Sequence, residues 1–135
     1  MRLAVDANIL LAASLGGRTR RVFSRPDWSF FTTASVMAEV AEHAPLIASR
    51  RGLILEDVET TLRSLPVAVV PDDDFVEYLL EAQRQIGSRD PDDITLLALA
   101  LAMQIPLWSN DKDFSVAAIE LWTADALMKS EQFRI

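Results

Sequence analysis

Residues 2–10 read Arg2-Leu3-Ala4-Val5-Asp6-Ala7-Asn8-Ile9-Leu10. Arg2 to Val5 has the make-up of a short buried strand, and the carboxylate of Asp6 stands where that strand runs out. A helical stretch is expected from about Asn8 to Leu15, stopped by Gly16-Gly17. A strand that ends in an acid and turns at once into a helix is how an α/β unit opens.

The same alternation continues along the chain. Thr19 to Ser24 predicts a second short helix, and Ser29 to Thr32, aromatic and bounded by Pro26-Asp27, a second strand. From Thr33 the spacing of Val36 and Val40 is helical, and that helix is expected to end at Pro45, with a further short one running to Arg51. Leu55, Val58, Leu62 and Leu65 predict an amphipathic helix closed by Pro66. Val67 to Val70 is a continuous run of small and β-branched residues, the pattern of a strand buried on both faces. Asp72 to Asp74 would cap a helix whose apolar positions are Phe75, Val76, Leu79, Leu80 and Ile86. The helix after Pro91 is apolar nearly all round and belongs deep in the fold. Strands at Pro106 to Trp108 and Ile119 to Trp122, then a helix from Thr123, complete the series. This order predicts an α/β fold, a three-layer α/β/α sandwich on a central, mostly parallel sheet of about four or five strands. At 135 residues, with no linker or repeat, residues 1–135 are expected to form a single domain.

Four acids sit in otherwise apolar sequence at the ends of these elements: Asp6, Glu39, Asp93 and Asp111. A carboxylate is costly to bury without a partner, and no lysine or arginine in the apolar segments matches them. Hard oxygen ligands of this kind suit magnesium or manganese. In open parallel sheets ligands bind beyond the carboxyl ends of the strands, where Asp6 and Asp111 fall. Each acid also has an ordinary structural explanation. Asp6 suits the cap of the following helix, and Asp90-Pro91-Asp92-Asp93 suits a helix start with its acids meeting the helix dipole. Glu39 fits a solvated helix surface, and Asn110-Asp111 a turn. His43 is the only histidine, which excludes a histidine pair and leaves that residue unassigned. Trp28, Trp108 and Trp122 read as core or near-core residues.

Composition narrows the chemistry further. The absence of cysteine excludes thiol catalysis, disulfides and zinc–thiolate sites, and fits a cytosolic chain. Asp6 interrupts the apolar start, so no secretion signal is expected. The run from Ile94 to Met103 falls short of the ~20 residues that a membrane helix needs, so no membrane association is expected. The net charge of −7 opposes phosphate binding, and two divalent ions would bring it to −3 (−7 + 4). Positive charge is dense only at Arg18, Arg20, Arg21 and Arg25, which fit a solvated helix face or an RNA contact.

Taken together, these segments resemble the PIN-domain nuclease family over essentially the whole chain. The resemblance is carried by Val5-Asp6-Ala7-Asn8-Ile9, by Glu39 within Ser35 to Val40, by Asp93-Ile94-Thr95-Leu96-Leu97-Ala98-Leu99-Ala100 and by Ser109-Asn110-Asp111-Lys112-Asp113-Phe114. Ser109 stands where threonine is common, and the third acid is Asp92 or Asp93, with the register of the alanine-rich helix favouring Asp93. The Asp-Pro-Asp-Asp and Ser-Asn-Asp-Lys-Asp-Phe variants look more like the stand-alone prokaryotic members, which are related to the toxins of toxin–antitoxin pairs, than like the best-known toxin sequences. The resemblance implies a Mg2+- or Mn2+-dependent ribonuclease that hydrolyses RNA phosphodiester bonds. Asp6, Asp93 and Asp111 are then metal ligands, and Glu39 binds a second ion or orients the attacking water. Asn8, Asp92, Ser109 and Asp113 support the site, and Arg18, Arg20 and Arg21 are candidate RNA contacts. It also implies a cytoplasmic protein and a homodimer, and it leaves open a toxin with a small antitoxin as partner or a housekeeping ribonuclease. Two other readings compete. A non-catalytic PIN-like scaffold would have no use for four intact acids, and an aspartyl-phosphate phosphohydrolase wants a second acid where this chain has Asn8.

Overall fold

The computed structural model describes residues 1–87 and 90–130; Arg89, which precedes the Asp90–Asp93 motif, lies outside them. Five strands, β1 (Arg2–Val5), β2 (Ser29–Thr33), β3 (Val67–Val70), β4 (Leu107–Trp108) and β5 (Leu121–Trp122), form one parallel sheet in the order β3-β2-β1-β4-β5. Seven α-helices accompany them among the described residues: α1 (Ala7–Ser14), α2 (Gly17–Val22), α3 (Ala34–Arg50), α4 (Leu55–Ser64), α5 (Leu79–Ile86), α6 (Pro91–Met103) and α7 (Ala124–Lys129). The chain moves one way across the sheet from β1 to β3 and returns past β1 to reach β4 and β5. Right-handed crossovers therefore put α1 to α4 and α5 to α6 on opposite faces, the three-layer architecture read from the sequence. The strand order reverses between β1 and β4, and that switch point is where an open α/β sheet makes its crevice.

The core is built from the buried faces of these elements. Leu3, Val5, Ile9, Leu10 and the unbroken run Leu96 to Ala100 are all essentially inaccessible. Phe23, Phe30 and Trp108 pack as an aromatic group with ring centroids 4.6, 4.9 and 5.9 Å apart. Trp28 is buried with them, whereas Trp122 is only half-buried, on the edge strand β5. Among the described residues no helix is long and apolar enough to cross a membrane.

Three local expectations are corrected. The helix begun at Thr33 does not stop at Pro45: α3 runs through it to Arg50. Thr33 caps the start by accepting the Val36 N–H at 2.9 Å. Val36, Val40, Ala44 and Ala48 then form one buried stripe at intervals of four, and its last two members pack on Val58 of α4. That contact holds the helix together across a residue that ordinarily disfavours a helix interior by about 3 kcal/mol. β3 is not buried on both faces. It is an edge strand, with Ala68 and Val69 exposed, because its apolar run meets a neighbour only at β2. The helix after Asp72 is broken as well. Residues Asp72–Tyr78 form a tight 3-10 segment kinked at Phe75 (φ −131°, ψ 23°), and α5 starts only at Leu79. Phe75, Ala82 and Ile86 reach the core, while Val76 and Leu80 face solvent.

Candidate active site

Asp6 closes β1 and caps α1, so its position follows directly from the strand-to-helix turn. It is only 6 % exposed. One carboxylate oxygen accepts the Ala7 N–H at 2.7 Å and the other accepts the hydroxyl of Ser109 at 2.6 Å. Ser109 is fully buried just past β4, and its Oγ in turn accepts the Asp111 N–H at 3.0 Å. One hydroxyl thus ties together the two acids on either side of the sheet's switch point. Asp111 caps the following 3-10 turn, Lys112–Val116, by accepting the Asp113 N–H at 2.9 Å. Asp113 itself is exposed. The Oδ1 of Asn110 accepts the Ala124 N–H at 3.0 Å, which anchors this turn to the start of α7.

The other acids come from helices that approach the same crevice. Asp93 is in the first turn of α6, whose cap Asp90 accepts the Asp92 N–H at 2.9 Å ahead of Pro91 at the first helical position. Glu39 lies in the second turn of α3, and α3 packs on α6. Carboxylate oxygens of Glu39, Asp90 and Asp92 all lie within 4.8 Å of one another. Read from the sequence, Asp90 is only a cap; the structure makes it a member of the acidic cluster. No local signal distinguishes the two, because the proximity depends on how α3 meets α6.

The electrostatics follow from this crowding. Burial pushes the Asp93 carboxyl up to about 7, with the charges of Asp6, Asp111, Asp90 and Glu39 adding to the effect. Burial likewise raises Asp6, opposed by its hydrogen bonds from Ser109 and Ala7 and assisted by Asp111. Glu39 is raised by burial and by Asp92, Asp90 and Asp6, and eased by His43, whose Nε2 lies 3.9 Å away. Asp92 is raised by burial, then by Asp90, Asp72 and Glu42. Among the described residues no lysine or arginine forms an ion pair with Asp6, Glu39, Asp92, Asp93 or Asp111. A set of hard oxygen donors that repel one another, with no cationic partner among the described residues beyond the histidine beside Glu39, fits a divalent cation.

The arginine-rich stretch is arranged differently. Arg20 donates to the carbonyls of Ala13 and Ser14 at 3.0 and 3.1 Å, closing the end of α1. Arg18 pairs with Asp125 of α7 at 3.3 Å. Arg25 pairs with Asp27 at 2.8 Å and stacks over Trp28. Of the three arginines expected to meet RNA, only Arg21 has a guanidinium free of a partner among the described residues. The cavity beside this stretch is lined by none of the acids.

The sequence profile of the PIN domain matches residues 4–131. The chain belongs to the PIN-domain family. Solved PIN-type structures share its fold at low sequence identity. The Mycobacterium tuberculosis toxin VapC20, a sarcin–ricin loop cleaving toxin, is 18 % identical with a TM-score of 0.59, covering 88 % of this chain and 96 % of its own. A toxin–antitoxin complex from Klebsiella pneumoniae matches at 16 % identity and a TM-score of 0.68, over 92 % of this chain and 98 % of that one. VapBC2 from Rickettsia felis, bound to a DNA fragment from their promoter, matches at 13 % and 0.67, over 91 % and 98 %. No curated protein sequence matches this PIN-domain chain significantly. At these identities the likeness is one of fold, and it covers nearly the full length of each neighbour.

Proposed function

We propose that this PIN-domain protein is a Mg2+- or Mn2+-dependent endoribonuclease that hydrolyses RNA phosphodiester bonds, acting in the cytoplasm as the toxin of a toxin–antitoxin pair. The observation that carries this reading is the convergence of Asp6, Asp93, Asp111 and Glu39, unneutralised by any arginine or lysine among the described residues, with Asp93 pushed up to about 7. Toxin–antitoxin complexes among the structural neighbours support a small antitoxin as protein partner, and the family resemblance supports a homodimer.

In this reading Asp6, Asp93 and Asp111 hold a divalent ion, and Glu39 with Asp92 and Asp90 receives a second or orients the attacking water. Such ions, when bound, lower the pKa of a coordinated water and offset charge at the scissile phosphate. The chain's own side chains prepare that chemistry. Ser109 orients Asp6 and favours its ionised form by donating to it, against the upward push of burial, and holds Asp111 in register through its N–H. Buried Thr32 donates to the Val5 carbonyl at 2.8 Å and pins the strand end that carries Asp6. Asn8, exposed in the first turn of α1, presents an amide beside the cluster, and Asp113 stands one turn beyond Asp111. Of the expected RNA contacts Arg18, Arg20 and Arg21, Arg21 is the freest to meet a phosphate, since Arg18 pairs with Asp125 and Arg20 closes α1.

The test is manganese-dependent cleavage of a panel of structured and single-stranded RNAs, with Asp6→Asn alongside. Cleavage that requires both the metal and Asp6 is the expected result. Cleavage by Asp6→Asn and Asp93→Asn at the parent's rate would overturn the assignment. No cleavage together with no thermal shift on adding manganese would favour a scaffold.

A further inference from the structure

The acids account for bond breaking but not for grip, and one groove runs from Glu39 to a cation that has no partner among the described residues. A cavity of about 180 Å3 lies between α1 and α3. Asn8 and Glu39 line it at the acidic cluster, and His43, Leu46 and Arg50 continue it along α3. Residues 39, 43, 46 and 50 recur at helical spacing and so share one face. From Glu39 to Arg50 that face runs about 16 Å at the α-helical rise.

Arg50 differs from the partnered arginines of the chain. Its side chain is exposed, and its guanidinium has no ion-pair or hydrogen-bond partner among the described residues. Arg18, Arg20 and Arg25, by contrast, are engaged with Asp125, with the end of α1 and with Asp27. In a protein of net charge −7, a free guanidinium in a groove that begins at the acidic cluster is the complement of an anionic strand. Asn8 and His43 add hydrogen-bond donors along the way. Leu46, 49 % exposed, gives the groove an apolar shelf of the kind on which an unpaired base or ribose rests.

We infer that this α1–α3 groove is the track of single-stranded RNA, with Arg50 gripping a phosphate a few nucleotides from the bond that is cut. This inference rests on the nuclease reading and adds where the substrate lies and in what form. Unpaired bases suit its exposed leucine, because a duplex keeps its base faces stacked on one another.

The test is fluorescence anisotropy with a short labelled single-stranded RNA in magnesium, in an Asp93→Asn background that keeps the strand whole. Arg50→Ala is expected to weaken binding about five- to tenfold and to lower the slope of log K against log salt by about one. Arg50→Lys should keep most of the slope, and Arg51→Ala, one residue off the groove face, should stay within about twofold. A duplex of the same sequence should bind without dependence on Arg50. Unchanged affinity and slope in Arg50→Ala, with the Arg50-containing protein still binding RNA, would overturn the track and leave the nuclease reading standing. Equal loss on the duplex would overturn the single-strand assignment. If the Arg50-containing protein binds no RNA at low salt, the nuclease reading fails, and the track with it.

Discussion

The hydroxyl of Ser109 lies 2.6 Å from a carboxylate oxygen of Asp6, a contact between the residues that follow the adjacent strands β4 and β1 at the reversal of strand order. Both groups are buried, and the same hydroxyl also receives the Asp111 N–H. A single side chain therefore sets the spacing of two acids and lowers the cost of keeping Asp6 charged.

Ser109→Ala is expected to remove that support from both acids at once. It should cost about 1–3 kcal/mol of stability, because a buried carboxylate loses a donor and an N–H loses its acceptor. Metal affinity should fall by about tenfold or more, as it does when a group that orients ligands is removed. Ser109→Thr keeps the hydroxyl and should retain most of both. Thermal melts with and without manganese, for all three proteins, check this; equal manganese shifts in parent and Ser109→Ala would remove Ser109 from the site.

Asp93 makes stability fall with pH in the absence of divalent ions. Its carboxyl is raised from an ordinary 3.8 to about 7 in the fold. Below about pH 4 it is protonated whether folded or not, so it has no effect. As pH rises the unfolded chain releases the proton first, so unfolding becomes easier, and the loss is complete above about pH 7. With solvent screening of this half-buried group the loss is about 2 kcal/mol. Asp93→Asn should therefore raise Tm in EDTA by a few degrees at pH 8 and change it little at pH 4. An unaltered profile in this variant would show that Asp93 is not the strained acid.

Divalent ions should reverse that loss. Manganese is expected to raise Tm more at pH 8 than at pH 5, because protonated acids cannot act as ligands. At about a hundred times Kd the gain is roughly 2.7 kcal/mol. Asp6→Asn should abolish most of it. A shift of the same size at both pH values would argue against binding at these carboxylates.

Pro45→Ala should stabilise the protein by about 1–2 kcal/mol. It restores an N–H within α3 and removes the ring's clash with the preceding turn, offset by a more flexible unfolded chain. Pro45 is exposed, so no packing is lost. A drop in Tm would mean that the restriction Pro45 places on the unfolded chain outweighs its cost within α3.

Much of the fold is legible along the chain because its causes are local. The apolar run to Val5 followed by Asp6, the Asp90-Pro91 start of α6 and the unbroken Leu96 to Ala100 all announce themselves through capping, propensity and burial pattern. The stripe at Val36, Val40, Ala44 and Ala48 was present too, but the breaking tendency of Pro45 is read more readily than a contact with Val58, which lies in the next helix. The exposure of β3 could not be read in this way, since a β-branched run looks the same at the edge of a sheet as at its centre.

For the candidate site, the sequence by itself picked out Asp6, Glu39, Asp93 and Asp111, because carboxylates in apolar surroundings are conspicuous wherever they occur, and the family resemblance added Ser109. Only the tertiary structure decided that Asp90 joins Glu39 and Asp92, that Arg20 is consumed in closing α1, and that Arg50 lies in a groove reaching back to Glu39. Those outcomes depend on strand order and on how α1, α3 and α6 pack. Such packing is settled by burial of the whole core, and no short stretch of sequence carries it.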